Sequence, residues 1–208
     1  MSEAPTNPAS DEKLMLAFVQ GFPEALNELY RRYQQPIHGF FRRRIADSSR
    51  AEELTQETFL ALLRAANRYE PRALFRTYLY AIALKILRAY RRKTIFRAAF
   101  LGPSDTVPDP AQQDATEMGL WVRRAVAQLE STDREILLLR EFEQLSYAEI
   151  ADLLYLPINT VRSRLFRARS ALRELLEPSS SLAATHTVTS AASASDSPQI
   201  VAQKGQRA

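Results

Sequence analysis

Residues 145–175 read LSYAEIADLLYLPINTVRSRLFRARSALREL, and the fold turns on how this stretch divides. Ser146 followed three residues later by Glu149 is a capping box, in which each side chain bonds the other's backbone N–H, so a helix starts near Tyr147. Ile150 and Leu153 face inward from it, and the small Ala151 permits close approach of a neighbour. Leu156 and Pro157 end it, and Asn159 or Thr160 is placed to cap the next helix. A short helix, a turn of three or four residues and a second helix is helix-turn-helix spacing. On the second helix Val161, Leu165, Ala168, Leu172, Leu175 and Leu176 fall within an arc of roughly 100°, a core-facing stripe. The opposite arc carries Arg162, Ser163, Phe166, Arg167, Arg169, Ser170 and Arg173, with Arg164 at the border.

A solvated helix face normally mixes charge signs. This one is all positive and holds an aromatic ring, which suits a polyanion. In a helix-turn-helix the second helix enters the major groove with its N-terminal residues on base edges. Thr160, Arg162, Ser163, Phe166 and Arg167 occupy those first turns. A guanidinium reads guanine O6 and N7, and an apolar ring meets a thymine methyl. Arg169 and Arg173, further along, suit phosphates. Upstream, Thr132 and Glu135 form a second capping pattern, opening DREILLLREFEQ.

Working outward, the chain divides by composition. Residues 11–97 read as helices: Ser10 caps DEKLMLAFVQ, Gly21 ends it, and Pro23 takes a first-turn position. Pro36 is expected to kink or interrupt the next helix. Ser49 with Glu52 is read as a capping box for a helix to about Tyr69, and another runs from about Phe75 to Lys93 after Pro71. FLGPSDTVPDPAQQ has three prolines and no periodicity, so it reads as a linker. Helical pattern resumes near Asp114 and continues to Glu177. Beyond Pro178 the chain is dominated by Ser, Ala and Thr and is expected to be disordered. The expectation is an all-α protein with two small helical domains, 1–96 and 113–177, a flexible linker at 97–112 and a tail at 178–208.

Composition bounds the function. Of 208 residues none is cysteine and only two are histidine, which argues against disulfides and thiolate or zinc centres. No apolar run is long enough to span a membrane, and the N-terminus lacks the pattern of a signal peptide, so a cytoplasmic location is expected. Neither a nucleophile–base pair nor a phosphate-binding glycine loop is apparent, so neither enzymatic activity nor a cofactor is expected. The net charge of +4 conceals its distribution. Six cations and no acid lie between Lys85 and Arg97, and five more between Arg162 and Arg173, while Asp105, Asp109, Asp114 and Glu117 sit between these blocks. Two separate basic patches imply a polyanion held at two places.

Two helices of the first half carry further signals. On the 50–69 helix Leu54, Thr58, Ala61, Leu62 and Ala65 form the stripe expected to meet its own domain. Roughly opposite lie Glu52, Glu53, Gln56 and Glu57 around Phe59, Leu60 and Leu63, an apolar centre with a charged rim that describes a protein-binding surface. The 75–93 helix is expected to bury Phe75, Leu79, Ile82, Ile86 and Tyr90. Its other side shows Lys85, Arg88, Arg91 and Arg92 with Tyr78 and Tyr80 nearby, cations to follow phosphates and aromatics to stack on unpaired bases.

LSYAEIADLLYLPINTVRSRLFRARSALREL resembles the C-terminal promoter-reading domain of sigma factors, particularly the extracytoplasmic-function group. EELTQETFLALLRA followed by FRTYLYAIALKILRAYRRK resembles that group's N-terminal domain. The resemblance spans roughly residues 11–176 with both motifs in the family's order. It implies a factor that binds core RNA polymerase and directs initiation at specific promoters. The face with Glu53, Gln56 and Glu57 would meet the polymerase clamp helices, with Glu52, Phe59 and Leu63 completing it. Melted DNA of the downstream (minus 10) element would meet Tyr69, Arg72, Arg76, Tyr78, Tyr80, Lys85, Arg88, Arg91 and Arg92, the loop RYEPRAL forming a pocket for a flipped base. The upstream (minus 35) duplex would meet the 160–176 helix. The family commonly has anti-sigma partners. Departures from its pattern are Tyr155 and Asn159, where glycine is frequent, and Tyr78 in place of a tryptophan. Ala81 and Ile82 stand where primary sigma factors have two tryptophans. The rival reading is a helix-turn-helix regulator of duplex DNA acting without polymerase, which leaves the two faces of the first half without a role.

Overall fold

The computed structural model describes residues 9–72, 74–101 and 117–177, and every regular element among them is helical. The first half comprises α1 (Asp11–Val19), α2 (Pro23–Arg42), α3 (Ser48–Ala65), a 3₁₀ turn (Ala66–Arg68) and α4 (Phe75–Leu101). The second comprises α5 (Glu117–Gln128), α6 (Ser131–Glu141), α7 (Tyr147–Leu154) and α8 (Ile158–Leu176). The proposed linker from residue 102 and the tail from 178 lie outside the described residues.

In the first half, α2 packs between α1 and α3, and α4 lies against α3. Met15, Leu29, Ile37, Phe40, Phe41, Leu54, Leu62, Phe75, Leu79 and Leu87 are fully buried there. In the second half α8 packs on α5, α6 and α7. Its stripe is buried as its periodicity requires: Val161, Leu165 and Ala168 fully, Leu172 and Leu175 partly. Ile150, Ala151 and Leu153 of α7 are buried against it.

Helix ends follow side-chain chemistry, with shifts from the sequence expectation. The Ser146–Glu149 box is present, each side chain bonding the other's backbone. Ser10 caps α1, and Gly21, at φ +99°, follows it. Asp47 rather than Ser49 caps α3, accepting from the Arg50 N–H at 3.1 Å. At α6 the Glu130 carboxylate accepts from the Thr132 and Asp133 N–H groups at 3.1 Å each, displacing the expected Thr132 box. In both cases a carboxylate two residues earlier outcompetes a hydroxyl for orphan donors. Helix α8 starts behind Pro157 without a side-chain cap. Pro36, expected to kink or interrupt the helix, lies within an uninterrupted α2. Burial of Leu29 before it and of Ile37, Phe40 and Phe41 after it offsets the roughly 3 kcal/mol that an interior proline costs. Helix α4 continues past the expected boundary at residue 96, to Leu101.

Tyr155 terminates α7 in the left-handed conformation, φ 57° and ψ 45°, although it is 88% exposed. That backbone region favours glycine, because a Cβ crowds the carbonyl. Tyr155→Gly relieves roughly 1–2 kcal/mol of left-handed strain and loses about 0.5–1 kcal/mol to the freer unfolded chain, so it is expected to stabilise the protein by about 0.5–1 kcal/mol. Urea titration checks this, and an unchanged or lowered midpoint would contradict it.

The two halves, read from sequence as units on a tether, are packed together. Helices α4 and α7 are in contact, and the buried side chains of both halves form one continuous cluster.

Candidate nucleic-acid and protein interfaces

The outward side of α8 is a basic, solvent-facing surface. Arg162, Ser163, Phe166, Arg167, Arg169 and Arg173 are exposed, and Thr160 is half-buried in the first turn. Phe166 stands 72% exposed in their midst, a large apolar side chain left open to solvent. The arginines differ in how they are held. Arg164 turns inward and donates to Glu130 and Asp133 at 3.0 and 2.9 Å. Arg169 pairs with Glu141 at 2.6 Å. Arg167 lies 3.7 Å from Asp133 with a side chain 62% exposed, a loose pairing of little worth in water. Arg162 makes a long bond of 3.4 Å to the Asn159 amide oxygen. Arg162, Phe166 and Arg167 are thus presented together near the helix N-terminus, and the acids that temper the surface lie under its edge.

On α3 the polar side chains Glu52, Glu53, Gln56 and Glu57 are all exposed, as the helical wheel requires. Glu53 is paired with Arg50 of the same helix. Phe59 is not part of this face. It is 6% exposed, its ring edge-on to Tyr30 with centroids 4.7 Å apart. The exposed apolar centre is Leu60 with Leu63, at 48% and 40%. Phe59 lies on the flank of the wheel, and a neighbour on α2 decides which way a flanking aromatic turns.

Helix α4 buries a stripe that differs from the expected one. Phe75, Leu79, Tyr80, Ala83, Leu84 and Leu87 are buried, while Ile82, Ile86 and Tyr90 are only partly covered. Two expected base-stacking residues are therefore core. Tyr80 is 4% exposed beside Phe40, and burial, with Glu143 close by, pushes its hydroxyl up to about 12 despite three nearby arginines. Tyr69 is 7% exposed between Phe75 and Tyr78, and its hydroxyl has no hydrogen-bond partner among the described residues. Tyr78 is half-buried and remains the aromatic of this face. Lys85, Arg88 and Arg92 are exposed along it. Arg91, expected on the same face, lies on the other side of α4 among Glu135, Arg44 and Arg134, where burial lowers its pKa. Arg72 is exposed and paired with Glu70 at 2.5 Å. A cleft of about 630 Å³ lies over Tyr78, Ala81, Ile82 and Lys85, with Arg72, Arg88 and Arg92 around it and Leu153 and Tyr155 of the second half on its far side.

Arg76 is the exception among the cations. Its guanidinium donates twice to the Glu149 carboxylate of α7, at 3.0 and 2.9 Å, and Thr77 Oγ1 donates to the same carboxylate at 2.5 Å. Burial pushes the Glu149 carboxyl up, but hydrogen bonds from Arg76, Thr77 and Ser146 outweigh it and hold the group at about 2. Sequence reasoning had no means of finding this contact, because its partners stand 73 residues apart. Among the described residues no cluster of histidines and acids is arranged to hold a metal ion, and no helix is long and apolar enough to cross a membrane.

Known proteins share this geometry. The profile of sigma-70 region 2 matches residues 29–95, and that of sigma-70 region 4 matches residues 119–172. The RNA polymerase sigma-H factor of Pseudomonas aeruginosa is 32% identical over 182 residues, covering 81% of this chain and 94% of that protein. The extracytoplasmic-function sigma factor SigC of Mycobacterium tuberculosis is 33% identical over 180 residues, covering 83% of this chain and 97% of that protein. Among solved structures, CnrH bound to the cytosolic domain of CnrY superposes with a TM-score of 0.65 at 24% identity, covering 81% of this chain and 97% of that one. That similarity concerns the fold.

Proposed function

The chain belongs to the sigma-70 family as an extracytoplasmic-function sigma factor, and from that premise we propose how its surfaces divide the work of promoter-specific initiation. The exposed Glu52, Glu53, Gln56 and Glu57 around Leu60 and Leu63 dock on the clamp helices of core RNA polymerase. The α4 face, with Tyr78, Lys85, Arg88 and Arg92, holds the melted strand of the downstream element. The α8 face reads the upstream duplex. The chain has no catalytic site of its own in this reading, and it works in the cytoplasm, where the polymerase is. An anti-sigma protein that covers one or more of these surfaces is a further partner.

The observation that carries this reading is the coexistence in one chain of the acidic–apolar α3 face and the basic α4 face with a helix-turn-helix. A regulator that bound duplex DNA alone would need only the last. Transcription decides between them: core polymerase with this protein should start specific transcripts from a cognate promoter that core alone does not. Failure to bind core polymerase would reject the reading in favour of a duplex-only regulator.

The docking face has its own test. Reversing Glu53 and Glu57 to lysine places like charges where the partner expects acids, and is expected to weaken core binding about tenfold. Both side chains are exposed, so circular dichroism should remain that of the parent. Undiminished affinity would remove α3 from the interface.

A further inference from the structure

The cleft over α4 collects more positive charge than its surroundings neutralise. Lys85, Arg88 and Arg92 line it at i, i+3 and i+7, so the three cations share one face of the helix. None of these side chains has a hydrogen bond or ion pair among the described residues. Arg44, Arg76, Arg164 and Arg169, by contrast, are each engaged by an acid. Arg72 adds a fourth cation to the cleft, already paired with Glu70. Three unpaired cations spread over about 10 Å of helix suit a ligand with several negative charges in a row, because a lone phosphate cannot meet all of them.

The opposite wall supplies a second, independent observation. Tyr155 keeps a left-handed backbone that costs free energy, and its exposed ring gains no packing to offset that cost. It lines the cleft, where an unpacked aromatic ring is placed to stack on a ligand ring. One helical turn earlier Asp152 lines the same cleft, and its carboxylate has no partner among the described residues. An ionised carboxylate only accepts hydrogen bonds, so it selects a ligand with N–H donors. Ala81, Ile82 and Leu153 give the space between an apolar lining. Its volume of about 630 Å³ falls within the roughly 300–1,000 Å³ of small-ligand sites.

We propose that this cleft binds a free guanine nucleotide carrying two or more phosphates. The phosphates lie on Lys85, Arg88 and Arg92, the base stacks on Tyr155, and Asp152 accepts from the base. Guanine fits that last contact because it sets a ring N–H beside an amino group, two donors for one carboxylate. A DNA strand carries the same base-and-phosphate chemistry, but the α4 face is sufficient for it, whereas Asp152 and Tyr155 of the second half fit a single base. The site stands on the cleft itself and does not depend on the assignment of α4 to melted DNA.

Equilibrium dialysis of the full chain against GTP, GDP, ATP and guanosine tests it. GTP and GDP are expected to bind saturably at one site per chain. Guanosine should bind at least about tenfold more weakly, having no phosphates for the cations. ATP should bind about tenfold more weakly than GTP, because adenine lacks the paired donors. Tyr155→Gly is expected to lower GTP affinity about tenfold, the loss of one base–aromatic stack. That variant is expected to be more stable than the parent, so unfolding does not explain the loss. Asp152→Ala should bring the GTP and ATP affinities together. A single-stranded downstream-element oligonucleotide should bind Tyr155→Gly as it binds the parent. No saturable GTP binding in the millimolar range, or GTP binding unchanged by Tyr155→Gly, would overturn the site. Equal affinities of the parent for GTP and ATP would overturn its assignment to guanine. Parallel loss of GTP and strand affinity in Tyr155→Gly would make the cleft part of the strand's path and overturn the free nucleotide. GTP binding without any strand binding would instead count against the role given to α4 above and leave the nucleotide site standing.

Discussion

Phe41→Ala is expected to lower the free energy of unfolding by about 3–5 kcal/mol, a drop in melting temperature of roughly 10 °C. Phe41 has no exposed surface, and its ring meets that of Phe40 edge-on with centroids 5.2 Å apart. Truncation removes transfer free energy, leaves a cavity in the buried cluster that relaxes only partly, and ends an aromatic pair. Phe166→Ala is the matched comparison. It removes the same atoms from a residue 72% exposed, and is expected to leave stability within about 0.5 kcal/mol. Denaturant titration of both variants checks the contrast. Similar losses at the two positions would mean that Phe166 packs in a way this structure does not have.

The second large effect concerns DNA. Arg167→Ala is expected to cost about 1–3 kcal/mol in affinity for the upstream element and to relax preference at one or two base pairs. Arg167 is exposed beside Phe166, and its 3.7 Å pairing with Asp133 is loose enough to yield to a base edge. Asp133 is already engaged by Arg164 at 2.9 Å and does not need Arg167. Arg173 lies in the last turn of α8 and is also exposed. Its loss should weaken binding to all sequences alike and reduce the salt slope by about one. Affinities of both variants for matched and singly substituted duplexes over a salt series separate these outcomes. Equal, sequence-blind losses would reduce α8 to an electrostatic face.

These contrasts show where sequence reading succeeds and where it stops. The stripe of α8 was legible because its apolar side chains recur at one helical phase while the other phases are polar, leaving a single way to bury it. The Ser146–Glu149 box was legible because both partners lie within one turn. Helix α4 was harder. Tyr78, Leu79, Tyr80, Ile82, Leu84, Ile86 and Leu87 put apolar or aromatic groups at many phases, so periodicity leaves several faces that satisfy burial. Contacts with Phe40 and with α7 choose among them, taking Tyr80 inward and leaving Ile82 and Ile86 half-covered. Phe59 is the same case on α3, turned in by Tyr30.

The sequence by itself determined the helical class, the order of the two halves, the helix-turn-helix and the polarity of its exposed face. Each depends on interactions within a few residues, or on a periodicity that every residue of a helix shares. The tertiary structure alone decided which aromatics are core, which arginines are engaged by acids, and that the halves meet. Arg44 and Glu143 stand 99 residues apart, and neither carries a local mark of its partner. A buried ion pair is created by the desolvation of two groups at once, and that is a property of their joint position rather than of either segment.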